Sequence, residues 1–211
     1  MSIAIVGDIH GDFAALARIV AALPEETPVI QVGDFGYWPE LRSRYVAPAR
    51  PVLFIDGNHD HVPLVASCEW PHAEFVPRGD VRVVDGRRVL FLGGATSVDR
   101  KWRPRGAGRH AWFDEEVVSD ADAERAIANA GGGVDLMVTH TPPDWMIRQH
   151  FSPLGLMQFE IDPRTWRDPS AERIEYVWRT LGEPPLYCGH MHRSVSDGAC
   201  RILDINEVVL A

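Results

Sequence analysis

Short apolar runs, most of them closed by glycine and followed by acidic or histidine residues, set the rhythm of this chain. Ile3-Ala4-Ile5-Val6, Val29-Ile30-Gln31-Val32, Val52-Leu53-Phe54-Ile55, Val89-Leu90-Phe91-Leu92, Leu136-Met137-Val138 and Leu186-Tyr187-Cys188 are rich in β-branched residues. They are too short for helices and predict buried strands. Glycine follows most of them, at Gly7, Gly33, Gly57, Gly93 and Gly189, where the chain must turn sharply or a ligand must approach the backbone. Between the runs lie segments with helical spacing. Residues 13–23 place Phe13, Leu16, Val20 and Leu23 on one face, with Asp12 as the cap. Asp120–Ala130 predicts a helix stopped by Gly131-Gly132-Gly133. Residues 169–181 predict another, opened by Pro169-Ser170, closed by Gly182 and burying Ile174, Val177, Trp178 and Leu181. Residues 200–205 alternate weakly, as a last strand would. The pattern is that of a mixed α/β (α+β) chain.

The polar residues gather just beyond these strands. Asp8-Ile9-His10, Gly33-Asp34, Gly57-Asn58-His59-Asp60, His140 and Gly189-His190-Met191-His192 each follow an apolar run. In open α/β sheets, ligands bind beyond the carboxyl ends of the strands. Taken singly, each piece has an ordinary explanation: a capping Asp, a satisfied core histidine, a turn-forming Asn. Five in the same topological position point to one composite site, and its Asp, Asn and His residues suit a pair of divalent metals.

In this order and with these neighbours, the five segments resemble the calcineurin-like metallophosphoesterase superfamily over residues 8–192. The resemblance implies a four-layer α/β/β/α sandwich, with two central mixed β-sheets flanked by helices and the dimetal site at the strand ends. It implies that Asp8, His10, Asp34 and His192 hold one ion and that Asp34, Asn58, His140 and His190 hold the other, with Asp34 shared. In the superfamily the histidine matching His59 lies close to the scissile phosphate, where it would protonate the leaving oxygen or stabilise charge. Asp60 would orient it. The Gly94-Ala95-Thr96-Ser97-Val98-Asp99-Arg100 segment also resembles one found in small stand-alone bacterial and phage members.

The implied reaction is hydrolysis of phosphodiesters, cyclic nucleotides among them, and of phosphomonoesters, by attack of a metal-bridging hydroxide. Two metals about 3.5–4 Å apart clamp a phosphoryl group and acidify a shared water. Two divalent ions outweigh the charges of Asp8 and Asp34, and the neutral Asn58 keeps the site attractive to an anion. Such a ligand set accepts Mn²⁺, Fe, Co, Ni or Zn²⁺, and Mn²⁺ is the expected occupant. A nuclease of the same superfamily is the rival enzyme, and a non-catalytic scaffold on this fold is the rival outside enzymology. The scaffold reading fits poorly with a complete ligand set and an intact His59. Protein phosphatase activity fits poorly too, because Asn58-His59 is followed by Asp60 rather than Glu and no arginine follows Gly33-Asp34-Phe35-Gly36 at the matching place.

Composition narrows the setting. A chain of 211 residues is the size of one domain, expected here to span 1–211. The net charge of −9 argues against general nucleic-acid binding. No apolar stretch approaches the ~20 residues of a membrane span, and no secretory leader is expected from Met1-Ser2 and the short run after it. Cys68, Cys188 and Cys200 are irregularly spaced, as reduced thiols of a cytoplasmic protein would be. Against the acidic whole, residues 93–113 carry Arg100, Lys101, Arg103, Arg105 and Arg109. Arg100, Lys101, Trp102 and Arg103 are the expected substrate-binding residues, the cations meeting phosphate. Trp38, Trp102, Trp112 and Trp145 also fall on loops at the same edge, where an aromatic ring either stacks on a nucleobase or anchors its loop to the core. The expected partner is thus a small phosphorylated molecule, a nucleotide fitting best.

Overall fold

The computed structural model of the chain describes residues 2–106 and 108–211; Met1 and Ala107 lie outside the described residues. The strands are β1 (Ala4–Val6), β2 (Val29–Gln31), β3 (Val52–Phe54), β4 (Ala73–Phe75), β5 (Val81–Val84), β6 (Arg87–Leu92), β7 (Leu136–Thr139), β8 (Leu186–Cys188), β9 (Val195–Asp197), β10 (Cys200–Ile202) and β11 (Val208–Leu210). The α-helices are α1 (Phe13–Ala22), α2 (Val62–Val65), α3 (Asp120–Ala130), α4 (Asp144–His150) and α5 (Pro169–Thr180). One sheet has the order β11-β1-β2-β3-β4 and the other β5-β6-β7-β8-β10-β9. In the first, β1 to β4 run parallel and β11 pairs antiparallel with β1. In the second, β6, β7, β8 and β10 run parallel, with β5 and β9 antiparallel at the edges.

Three apolar clusters make the four layers. Ile3, Ile5, Ile30 and Val32 of the first sheet meet Val89, Phe91, Leu136 and Val138 of the second. One residue out of register along β1, Ala4 and Val6 turn the other way and pack with Phe13, Leu16 and Val20 of α1. Leu90 and Leu92 likewise face Ala123 and Ala126 of α3 and Ile174, Val177 and Trp178 of α5. Successive side chains point to opposite faces, and both faces are covered, so these strands read as continuous apolar runs.

The helix ends follow local chemistry. Asp12 accepts a hydrogen bond from Ala15 N, Ser119 and Asp122 form a reciprocal capping box, and Asp168 accepts from Ser170 N and Ala171 N. Leu23 and Leu181, expected inside their helices, are the C-caps of α1 and α5. The expected strand over 200–205 stops at Ile202; a turn with Asn206 at positive φ then leads into β11. Strands β4, β5, β9 and β11 were not expected from the apolar pattern, because they are three or four residues long and partly exposed. The crossing from one sheet to the other is tied by Arg78, which bonds Asp56 Oδ2 through Nε at 3.0 Å and Nη2 at 2.6 Å. The same guanidinium donates to the carbonyls of Glu115, Glu116 and Val117. No helix among the described residues is long and apolar enough to cross a membrane.

Candidate metal centre

Parallel strands end on one edge, and the sequence delivers its polar residues there. Asp8 and His10 follow β1, Asp34 follows β2, Asn58 to Asp60 follow β3, His140 follows β7, and His190 and His192 follow β8. To aim these side chains inward the backbone takes a disfavoured shape. His10, Asp34, His190 and His192 all have left-handed φ, between 45° and 67°. Non-glycine residues adopt this region at a cost, and such strain gathers at functional sites. Gly189 has another role, since a Cβ there would stand 2.9 Å from Asp8 Cγ and 2.8 Å from Val32 Cγ2. Only hydrogen fits between that turn and the carboxylate.

Asp8, His10, Asp34 and His192 place one ligand atom each within 4.8 Å of one another, although no two of the three segments are neighbours in sequence. His10 Nε2 and His192 Nε2 are 2.9 Å apart, and His192 Nε2 lies 3.2 Å from Asp8 Oδ2. A second group adjoins it: His140 Nε2 lies 3.2 Å from Asn58 Oδ1 and 3.5 Å from Asp34 Oδ2, with the His190 ring 5.1 Å away. Asp34 Oδ2 is common to both, being also 3.7 Å from His10 Nδ1. Its other oxygen accepts from His59 N at 2.9 Å. Asp34 Oδ2 is buried without a hydrogen-bond partner among the described residues, a costly state for a carboxylate oxygen unless a cation satisfies it.

The electrostatics agree with a cation site. Burial opposes the charge on His140, but Asp34 and then Asp8 outweigh it and push the imidazole up to about 10. Burial also opposes ionisation of Asp34, yet the facing His140 and then His59 hold its carboxyl well below the usual range. Burial and the His140 charge take His190 down to about 3, so it is a neutral imidazole ready to ligate. For the polypeptide by itself, a proton on His140 supplies positive charge beside the two carboxylates.

Asp60 departs from its expected role. Its oxygens accept from the backbone N–H groups of Phe35, Gly36 and Gly57 at 2.9–3.0 Å, so it clamps the loops after β2 and β3 rather than the His59 ring. Burial and the charge of Asp34 push its pKa up to about 7 against those three donors. His59 is positioned instead by its own amide on Asp34, with its ring edge-on to His10 at 5.6 Å.

The basic loop is also arranged differently from the expectation. Arg100 pairs with the buried Glu116 at 2.7 Å, Lys101 pairs with Glu160, and Arg105 pairs with Asp114. Arg103 is committed to Ser97, Asp99 and the Ala111 carbonyl, and Trp102 packs on Phe159. Beside the ligand cluster is a cleft of about 190 Å³ lined by His10, Asp34, Gly36, Trp38, Leu41, His59, Arg109 and His110. The loop thus sends Arg109 and His110 to the cleft, while Arg100, Lys101, Trp102 and Arg103 do not line it. Trp112 lies under Arg100 and Arg105 and Trp145 stacks on Trp178, so these rings serve as anchors, while Trp38, largely buried against Phe113, both anchors its loop and lines the cleft.

A family model described as calcineurin-like phosphoesterase matches residues 1–194. A search of curated proteins gave no match.

Proposed function

Because the chain belongs to the calcineurin-like phosphoesterase family, and is therefore a metal-dependent hydrolase of phosphoric esters, we propose that its substrates are phosphodiesters, small nucleotide diesters among them. Asp8, His10, Asp34 and His192 would hold one divalent ion and Asp34, Asn58, His140 and His190 the other, with Mn²⁺ the proposed occupant. The observation that carries this reading is Asp34 Oδ2, buried, making no hydrogen bond and lying 3.7 and 3.5 Å from imidazole nitrogens of the two groups. Two ions bound there would offset the charge of the phosphoryl group and activate water.

The chain's own residues supply the rest. Asp8 and Asp34 are the carboxylates of the ligand set, and Asn58 is neutral, so two divalent ions leave a surplus of positive charge for an anionic ester. Arg109 and His110, which line the same cleft, would bind phosphate oxygens. His59 would hand a proton to the leaving oxygen, a step that matters most when that oxygen is a poorly departing alkoxide. The cleft's small volume suits a small ester, and the chain's net charge of −9 disfavours a polyanionic polymer.

The test is a panel of mono-, di- and cyclic phosphates with the Mn²⁺-loaded protein, ranked by kcat/KM. Diesters should lead, and His59→Ala should keep two ions while losing mostly kcat. Monoesters turning over faster than diesters across the panel would overturn the substrate assignment.

A further inference from the structure

Asn58 is a primary amide, so which of its two ends faces the metal site depends on what holds the other. Its Nδ2 donates to Ser97 Oγ at 2.9 Å, and that bond turns Oδ1 toward His140 Nε2, 3.2 Å away. Ser97 is 2 % exposed and lies on the loop after β6, in the other sheet from β3. It is fixed from two directions. Its amide donates to Glu116 Oε1 at 3.0 Å, the oxygen that also accepts from Arg100 Nε. Its Oγ accepts from Arg103 Nη1 at 2.9 Å, and the Arg103 side chain is itself 9 % exposed. Arg103 further donates to the Ala111 carbonyl and, at 3.4 Å, to the His110 carbonyl.

We propose that Ser97 and Arg103 are positioning residues for the second metal ion: the Ser97 hydroxyl, pinned by the Arg103 guanidinium, holds the Asn58 amide with its oxygen toward the ion. This rests on the reading of Asn58 as a ligand. It gives the basic loop a purpose other than phosphate capture. Arg103 stands behind a ligand, and through the carbonyls of His110 and Ala111 it ties that ligand to the wall of the substrate cleft. Without Ser97, the amide loses the partner of its NH2 group and can present either end. Groups that orient metal ligands typically contribute 10–100-fold to affinity.

The experiment is Mn²⁺ titration of the full chain, followed by calorimetry and by the electron paramagnetic resonance signal of free Mn²⁺. Ser97→Ala should weaken one of two binding steps by at least about tenfold and leave the other unchanged. The metal-free protein, short of an acceptor for the Asn58 and Arg103 donors, should melt at a lower temperature but stay folded through the titration. Ser97→Thr keeps the hydroxyl and should restore most of the loss. A cycle assigns the step: Ser97→Ala should add little in a His190→Ala background and its full effect in a His192→Ala background. Equal weakening of both steps, a loss in Ser97→Thr as large as in Ser97→Ala, or unchanged binding would each overturn the proposal. A wild-type protein that binds a single ion would instead sink the dimetal reading, and this proposal with it.

Discussion

Gly189→Ala isolates the fit between the β8 turn and the first carboxylate. The φ of Gly189 is outside the left-handed region, so alanine brings no backbone penalty and the effect is steric. A Cβ at this position would stand 2.8 Å from Val32 Cγ2 and 2.9 Å from Asp8 Cγ, and would collide with Asp8 Oδ1. Carbon atoms rest at about 3.5–4.0 Å, so the carboxyl group or the turn must retreat by roughly 0.6 Å or more. Val32 is fully buried in the cluster between the sheets and has nowhere to go. Overpacking of this kind costs about 1–3 kcal/mol, which for a chain of this size lowers the melting temperature by ~3–10 °C. The retreat also displaces Asp8 Oδ2, which accepts from His190 N and lies against His192. Mn²⁺ affinity should therefore fall on the order of 10–100-fold. Calorimetric titration and thermal melts measure the two effects together. Gly155→Ala is the matched control, because nothing lies within 4 Å of its Cβ position, and its effect should stay within about 0.5 kcal/mol. Wild-type metal affinity and melting temperature in Gly189→Ala would refute the claim that this turn and Asp8 are packed as one unit.

Three further outcomes are expected. Arg78→Met should cost about 3–5 kcal/mol in urea unfolding, because it leaves the fully buried Asp56 without its cation, and adding Asp56→Leu should recover most of that; a loss under about 1 kcal/mol would contradict the pair's role in joining the sheets. Arg109→Ala should raise KM for phosphate esters with little change in kcat, an effect that fades with salt, whereas Lys101→Ala, whose partner is Glu160, should leave KM alone. For His140 the sign is set by its pKa, raised to about 10 in the polypeptide by itself: the stabilisation from its proton is fully present below about pH 6.5 and is lost as pH rises through 10. The same proton competes with metal, so Mn²⁺ affinity should climb with pH and binding should release protons, measurable in buffers of different ionisation enthalpy; pH-independent affinity would count against His140 as a ligand.

The sequence made the central strands and the ligand loops visible for one physical reason. A strand covered on both faces must be apolar throughout, so β1, β2, β3, β6, β7 and β8 appear as unbroken runs, and whatever polar residues follow them lie at one edge. The edge strands lack that signature: Ala73-Glu74-Phe75 and Val81-Arg82-Val83-Val84 carry exposed positions. The β5–β6 hairpin did leave a mark, since Asp85-Gly86 is a turn dipeptide and both residues have positive φ. Pairing across the chain was not legible. Nothing local in the 93–113 segment announces that Arg100 will meet Glu116, or Lys101 meet Glu160, so a cluster of cations looked available for substrate when most were already neutralised. Asp60 was misread in the same way. Its neighbour His59 suggested a side-chain pair, but its partners are backbone amides, those of Phe35 and Gly36 after β2 and that of Gly57 in its own loop.

The positions of strain show how the fold and the site depend on each other. His10, Asp34, His190 and His192 hold left-handed backbone that glycine would adopt without strain, at about 1–3 kcal/mol each. Glycine there would relieve the strain and remove the imidazole or carboxylate, so the chain keeps the side chain and bears the cost elsewhere. What bears it is close at hand. Asp8 Oδ2 caps His190 N, Asp34 Oδ1 caps His59 N, and the Asp60 carboxylate binds three amides of the loops after β2 and β3. The carboxylates that would hold metal are thus also the acceptors that stabilise the turns carrying the histidines. Exchanging Asp8 or Asp34 for an apolar residue would therefore disturb a turn as well as remove a ligand, whereas Asn, whose amide oxygen can still accept the turn's N–H, would remove the ligand's charge and leave the turn its acceptor.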